Sequence, residues 1–475
     1  MDLLKTFRLK QSQYSVAAVL FAAVAISSAQ NAPSLAADSR SSIDEIVKNA
    51  LAGTGVPSAS IAVVKDGKIV YLQAYGDARL DPKLPATPEM RYSIGSISKQ
   101  FTAAAILLLQ EQGKLSIDDP VSKYVPGLTR GNEVTIRQVL SHTSGYQDYW
   151  PQDYVMTPML QPTTAQQILD RWARIPLDFD PGTKWQYSNT NYVIAGLIVE
   201  RVGGVPMLQL LQQSVFGPLS MKSIANVDEA KLPNSDPEGY FRYALGPLRP
   251  SPKEANGWIF AAGELAMTAK DLAKWNISLM NQSVLKHASY RAMETEAVLN
   301  NGVGTRYGLG VFVIGMNGHR VLEHSGEVSG FTAENIVSPD DRFAVSVLTN
   351  QFAANAASQI GHGILNWFLK TENVQDTKQD AVVRRVFDGL KQGTIDRSLF
   401  TDNANGYFTD QALKDYANSL APLGDPVSFI QSSVSLRGGM THRSYQVKYQ
   451  HKNLGINIYE MPDGRFEQYL IAVQE

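Results

Sequence analysis

Residues 92–112 read YSIGSISKQFTAAAILLLQEQ. From Ile97 to Gln112 the residues suit a helix, and Gly113 stops it. Its middle, Ala103 to Leu109, is apolar on every side, so the helix is expected inside a domain. Ser96 and Lys99 stand three apart where the helix begins, on one face and one turn apart. A serine there presents its N–H at the positive helix end, where an oxyanion is stabilised. A lysine carried into an apolar interior loses solvation, its pKa falls, and it becomes able to take a proton. The pair reads as a serine nucleophile activated by a lysine.

Around this helix the chain alternates in kind. Residues 42–53 suit an amphipathic helix. Residues 58–64 and 68–74 are β-rich and joined through Asp66-Gly67, a strong hairpin signal. Helical stretches follow at 133–141, 164–173, 190–202 and 264–280. Strands are expected at 307–315, 320–324, 330–337 and 343–349, and a helix at 356–370. This order puts the first and last strands in one antiparallel sheet, with a mostly helical insert beside it. The polar stretch 371–380 reads as a linker. Helices near 380–392 and 409–420 and strands near 427–436, 442–450, 453–460 and 465–473 then suggest a separate α+β module.

Composition narrows the function. The 475 residues are 44% hydrophobic and 19% charged with a net charge of −2, a globular balance that gives nucleic acid no basic surface. Cysteine is absent, which excludes disulfides, thiol nucleophiles and Cys-ligated metals. Lys5, Arg8 and Lys10 precede an apolar run at 15–27, and Ser27-Ser28-Ala29 offers a cleavage site. Residues 1–29 are therefore expected to be a signal peptide that exports the protein to a periplasmic or extracellular location. The apolar run falls short of the ~20 residues that span a bilayer. Without it the charge is near −4, and no membrane insertion is expected of the mature chain.

Three short motifs complete the chemistry: Ser96-Ile97-Ser98-Lys99, Tyr187-Ser188-Asn189 and His324-Ser325-Gly326. The first two have decoys, at Ser283–Lys286 and Tyr416–Asn418, but neither decoy completes the ordered set. Tyr92–Gly95, Leu140–Gly145 (LSHTSG), Ala262–Leu265 with Thr268 and Asp271-Leu272, Tyr307–Gly310 and Leu348–Asn350 accompany them. Residues 42–370 thereby resemble the serine β-lactamase and penicillin-binding-protein superfamily, in its class C-like branch. That branch holds D-alanyl-D-alanine carboxypeptidases, D-aminopeptidases and family VIII carboxylesterases. The resemblance implies an α/β (α+β) fold over 38–372: an antiparallel sheet flanked by helices, plus a mostly helical subdomain. A small C-terminal α+β accessory domain, similar to cystatin-like or nuclear-transport-factor-like appendages, is expected over 378–475.

The resemblance also implies roles. Ser96 is acylated, Lys99 holds or takes its proton, and Tyr187 acts as general base and acid. Asn189 bonds Lys99 or the substrate amide, and His324, Ser325 and Gly326 line the substrate. The backbone N–H groups of Ser96 and Glu327 form the oxyanion hole, worth ~3 kcal/mol per donor. Relatives that hydrolyse β-lactams carry Lys where His324 stands, so an esterase or D-amino-acid peptidase or carboxypeptidase is expected. A β-lactamase and a non-catalytic penicillin-binding or scaffold protein are the alternatives. A protonated His324 would grip anionic substrates, with activity falling as pH rises through its pKa, ordinarily ~6.5. Glu327, where relatives often have Gly, either faces the oxyanion site or points away.

His142 reads as a loop-shaping residue. His319 and His324 lack a third ligand, so no metal and no cofactor are expected. Trp258, Tyr243 and Tyr146 are either pocket-lining or packing residues, and 146–162 and 225–258 are candidate specificity loops. Asn276-Ile277-Ser278 forms a glycosylation sequon. The partner is a small-molecule or peptide substrate, with no nucleic acid. The accessory domain is open to three roles: binding substrate, joining copies into a homo-oligomer, or covering the cleft.

Overall fold

The computed structural model describes residues 37–475 apart from 153, 317, 373, 438, 439 and 475. The expected signal peptide lies outside the described residues. Helix α1 (Ala37–Thr54) leads into β1 (Ser58–Lys65) and β2 (Lys68–Leu80). Asp66 and Gly67 between these strands both have positive φ, as the expected tight hairpin turn requires. A short β3 (Lys83–Pro85) follows, then α2 (Ser98–Glu111), α3 (Asn189–Gly203) and α4 (Ala269–Asn281). The chain then returns to β4 (Phe312–Met316), β5 (His319–Val328), β6 (Phe331–Ser338) and β7 (Phe343–Thr349), closed by α5 (Ala356–Glu372).

The strands form one sheet in the order β3-β2-β1-β7-β6-β5-β4, with each neighbouring pair antiparallel. The first and last strands meet as expected, Ala59 opposite Thr349 through Lys65 opposite Phe343. Alternate residues of β1 enter two cores. Ala62 and Val64 pack on the side of α2, α3 and α4, whereas Ile61 and Val63 pack on the side of α1 and α5. Burial on both faces is why β1 reads as a nearly unbroken apolar run rather than an alternation.

Every residue of α2 from Ser98 to Leu109 is buried, polar ones included. Each polar side chain there has a partner, as burial demands. Leu265 N donates to Ser98 Oγ (3.2 Å), Thr102 Oγ1 to the Ala261 carbonyl (2.7 Å), and Trp275 Nε1 to Gln100 Oε1 (2.8 Å). These bonds hold the helix that carries Lys99 against residues 261–265 and α4.

Four expectations change. The helix expected over 133–141 is confined to Ile136–Leu140, started by a capping box between Thr135 and Gln138. The stretch 264–280 is a strand and then a helix. Leu265–Met267 pairs with Tyr92–Ser93, and Thr268 accepts from Asp271 N to start α4. The strand expected over 307–315 begins only at Phe312. Gly310 there has φ +79°, and a Cβ on it would lie 2.7 Å from the Lys99 carbonyl, so the chain turns tightly against α2. The expected linker 371–380 is largely helical, because α6 (Val374–Lys391) runs through it, anchored by buried Val383, Val386, Phe387 and Leu390.

Helix α7 (Asp410–Leu420) and the antiparallel strands β8 (Ser428–Arg437), β9 (Met440–Lys448), β10 (Asn453–Glu460) and β11 (Phe466–Gln474) complete the C-terminal part. Its core, which includes Phe387, Tyr445, Ile456 and Phe466, is a separate cluster. Among the described residues no single helix is long and apolar enough to cross a membrane.

Candidate active site

Ser96 sits in a 3₁₀ turn, Gly95–Ile97, directly before α2, and Lys99 in the first turn of α2. The serine is half-buried, and the lysine is wholly inaccessible. Lys99 Nζ lies 2.9 Å from Ser96 Oγ, 2.8 Å from Asn189 Oδ1 and 2.8 Å from the Ala262 carbonyl. Burial lowers the Lys99 ammonium to about 7, with the Asp148 carboxylate opposing. A neutral amine at this position donates to Asn189 and Ala262 and turns its lone pair to the Ser96 hydroxyl.

Tyr187 and Asn189 arrive at the start of α3. Lys99 Nζ lies 5.0 Å from the Tyr187 ring centroid, and Tyr187 lines the same cleft as Ser96. Burial pushes the Tyr187 phenol up, with the nearby Ser96 hydroxyl opposing, so it stays protonated at neutral pH. Asn189 is aimed by Asp148, which the sequence reading missed. Asn189 N donates to Asp148 Oδ1 (2.9 Å) and Asn189 Nδ2 to Oδ2 (3.3 Å). Asp148 thus caps α3 in place of Ser188, whose side chain makes no cap bond. Burial raises the Asp148 carboxyl while these N–H donors pull it down.

His142 is the loop-shaping residue expected. It is fully buried, its Nδ1 accepts from Ser188 N (3.2 Å), and its ring lies 4.3 Å from that of Tyr187. Ser144 Oγ donates to Asn191 Oδ1 (2.6 Å), and Tyr192 donates to the Leu140 carbonyl (2.8 Å), which docks the 140–145 loop on α3.

His324, Ser325 and Gly326 lie on β5. His324 Nδ1 faces the Ser325 carbonyl at 2.6 Å, so it carries the proton, and Nε2 accepts from the Tyr307 hydroxyl at 2.9 Å. Burial, reinforced by the Lys99 charge, lowers its pKa to about 3. Burial thus opposes the protonated form of His324 that was expected to grip a carboxylate. Tyr307 was noticed in sequence only as part of a motif. Its role as the partner of His324 depends on the tight 307–311 turn.

The amides of Ser96 and Glu327 lie on closely apposed backbones. A Cβ on Gly326 would stand 1.9 Å from the Ile94 carbonyl, and one on Gly95, whose φ is +51°, would stand 2.5 Å from Glu327 N. Only glycine at both positions lets β5 approach the serine turn so closely. Glu327 is exposed at the cleft rim, and its Oε1 accepts from Ala353 N (2.6 Å).

A cleft of about 540 Å³ opens over Ser96, lined also by Asp148, Trp150, Trp185, Tyr187, Asn189, Phe312, His324, Ser325, Glu327 and Phe352. Of the two expected specificity loops, residues 148–152 contribute and 225–258 do not. Trp258 and Tyr146 are packing residues, donating to the carbonyls of Gln161 (2.7 Å) and Thr129 (3.0 Å), and Tyr243 is exposed away from the cleft. Asn276 is fully buried, bonded to Asn335 and Ser346, so its sequon is closed to a glycan.

The family model for Beta-lactamase matches residues 43–362. Protein flp of Staphylococcus aureus (strain N315) is 29% identical over 325 residues, 66% of this chain and 63% of that protein. The chain thus spans about 63% of the length of that relative. The octameric penicillin-binding protein homologue from Pyrococcus abyssi superposes with a TM-score of 0.62 at 22% identity, over 92% of this chain and all of that one. A D-stereospecific amidohydrolase from Streptomyces sp. superposes with a TM-score of 0.58 at 26% identity, over 67% of this chain and 96% of that one. With two thirds of its length matched, and the serine, lysine, tyrosine and histidine motifs gathered around one cleft, the chain belongs to the Beta-lactamase family.

Proposed function

We propose that the protein is a serine hydrolase that forms an acyl-enzyme on Ser96. The observation that carries this is the buried Lys99 amine, 2.9 Å from Ser96 Oγ and lowered to about 7. Ser96 Oγ attacks the carbonyl carbon and passes its proton to Lys99. The tetrahedral oxyanion is held by the N–H groups of Ser96 and Glu327. The bond to the leaving group breaks, and that group departs with the proton of Tyr187, which Lys99 restores. Water then attacks the acyl-enzyme by the reverse relay and releases the acid. Because Tyr187 stays protonated, the base role falls to Lys99 and the acid role to Tyr187.

Within this class we favour an esterase or D-amino-acid peptidase over a β-lactamase. His324 is neutral, the lining of the cleft holds no exposed cation among its described residues, and Asp148 and Glu327 stand in it. That field suits neutral or amine-bearing acyl groups and opposes a β-lactam carboxylate. The D-stereospecificity of the similar Streptomyces amidohydrolase supports the peptidase branch. The test is p-nitrophenyl butyrate and a D-amino-acid p-nitroanilide beside a fluorescent penicillin, with Ser96→Ala as control. Turnover of the first two, abolished in the variant, is expected. Fast penicillin hydrolysis would select the β-lactamase reading, and inertness toward every probe the scaffold reading.

Export through residues 1–29 belongs to the same proposal, supported by their basic and apolar pattern. So does self-association through the C-terminal part, which exposes Val427, Ile430 and Val473. Light scattering on the full mature chain should report an oligomer, and a monomer at high concentration refutes that part.

A further inference from the structure

On the sheet face that carries α1 and α5, away from α2, three side chains converge that the reaction above does not use. Glu323 comes from β5, Glu334 from β6 and His362 from α5, and their donor atoms all lie within 4.8 Å of one another. Glu323 immediately precedes the His324 motif, and Glu334 is paired in register with Ser325. We propose that Glu323, Glu334 and His362 form a divalent-cation site of the zinc class that ties α5 to the strand bearing His324.

Three observations carry this. His362 Nδ1 faces its own helix's Ser358 carbonyl at 3.0 Å and hydroxyl at 3.1 Å, which fixes the ring with Nε2 toward the carboxylates, where it pairs with Glu323 until a cation displaces its proton. A backbone carbonyl fixing the ring in this way is the usual support of a metal-bound histidine. Next, Glu334 is only 3% exposed, yet its Oε1 has no hydrogen-bond partner. An unsatisfied buried carboxylate oxygen costs a protein several kcal/mol unless a cation or a proton meets it. Third, the spacing suits an ion. Zinc bonds of about 2.0–2.1 Å put tetrahedral donor atoms about 3.4 Å apart. His362 Nε2 and Glu323 Oε2 are 3.3 Å apart.

The surroundings agree. Gly361 lets α5 pass close to Glu334, since a Cβ there would stand 3.0 Å from Glu334 Cγ. The His362 and Glu323 side chains are 28% and 18% exposed, so an ion has a route in and a fourth position for water. One imidazole with two carboxylates favours zinc over magnesium or calcium, which prefer oxygen alone. His319, which lies on β5 and bonds the Asp341 carboxylate (2.9 Å), serves as the control.

The test is zinc chloride titrated into tag-free, chelator-treated, full mature protein, read by calorimetry and by thermal shift. One tight equivalent with a rise in Tm is expected. Loss of supporting partners alone weakens metal sites by roughly 10–100-fold, so His362→Ala and Glu334→Gln should each weaken binding by at least about 100-fold. His319→Ala should leave it unchanged. X-ray absorption of the zinc-loaded wild type should show one imidazole and otherwise oxygen donors, which keeps the test decisive if either variant fails to fold. No tight equivalent, binding that survives in both folded variants, or two or more imidazoles on the zinc would overturn the site. The first of these outcomes would leave Glu334 holding a proton instead.

Discussion

Replacing Lys99 with arginine keeps a cation in the site but removes the capacity to lose a proton, because a guanidinium is always charged. An ordinary lysine near 10.4 is neutral in only about one molecule in 2,500 at pH 7. At about 7, Lys99 is neutral in half of them. Burial therefore supplies about 10³ times more free base, a shift of about 5 kcal/mol between the protonation states. General-base catalysis contributes about 10²–10⁴ in rate. Both Lys99→Arg and Lys99→Met should therefore lose about 10³ in kcat/KM for p-nitrophenyl butyrate, with Met serving as the neutral control of similar length. In wild type, kcat/KM should rise about tenfold per pH unit below the Lys99 pKa and level off above about 7, because only the neutral amine accepts the Ser96 proton. Circular dichroism confirms that each variant is folded. Retention of more than about a tenth of the activity in both folded variants, or a wild-type profile flat through pH 7, would refute the reasoning.

Other outcomes follow from the same geometry. The folded-state pKa of Lys99 is depressed, so the unfolded chain binds the extra proton between about pH 7 and 10.5, and wild-type stability should gain on Lys99→Met by up to about 1.4 kcal/mol per pH unit across that window, measured by urea unfolding. Because His324 is neutral above about 3, the ratio of activities on neutral and carboxylate-bearing esters should show no step at the ordinary histidine pKa, and a step near 6.5 would contradict its assigned state. Asp148→Ala should cost about 1 kcal/mol by losing the cap on α3 and lower kcat more than it raises KM, whereas Asp148→Asn, still able to accept from Asn189 N, should recover most of the stability. Gly326→Ala should cut ester turnover severely, since its methyl would enter the Ile94 carbonyl, and normal kcat in that variant would deny the close approach of β5 to the serine turn.

What could be read in sequence was local or ordered. Ser96 and Lys99 lie within one helical turn, so spacing alone puts them together, and the apolar run after them announces burial. Tyr187 and His324 are distant in the chain, and only their order within three motifs ties them to Ser96. Asp148 gave no such signal: it is a single loop aspartate whose meaning comes from Asn189, 41 residues on. The downward pull on the His324 pKa comes from complete burial and from Lys99 nearby, neither of which a sequence reveals. Residues 264–280 looked like one helix because their apolar spacing continues across Thr268, although Thr268 and Asp271 together mark a helix start. The cleft walls at Trp185, Phe312 and Phe352 come from three separate segments, and no motif unites them.

The central claim is a covalent acyl group on Ser96. Mature protein mixed with p-nitrophenyl butyrate and quenched in acid within the first turnover should gain the mass of one butyryl group. Tryptic digestion should place that group on the peptide of residues 92–99, and fragmentation should place it on Ser96 rather than Ser93 or Ser98. Ser96→Ala should show neither adduct nor turnover. Ester turnover by the Ser96→Ala variant, or an adduct on any other residue, would contradict the account.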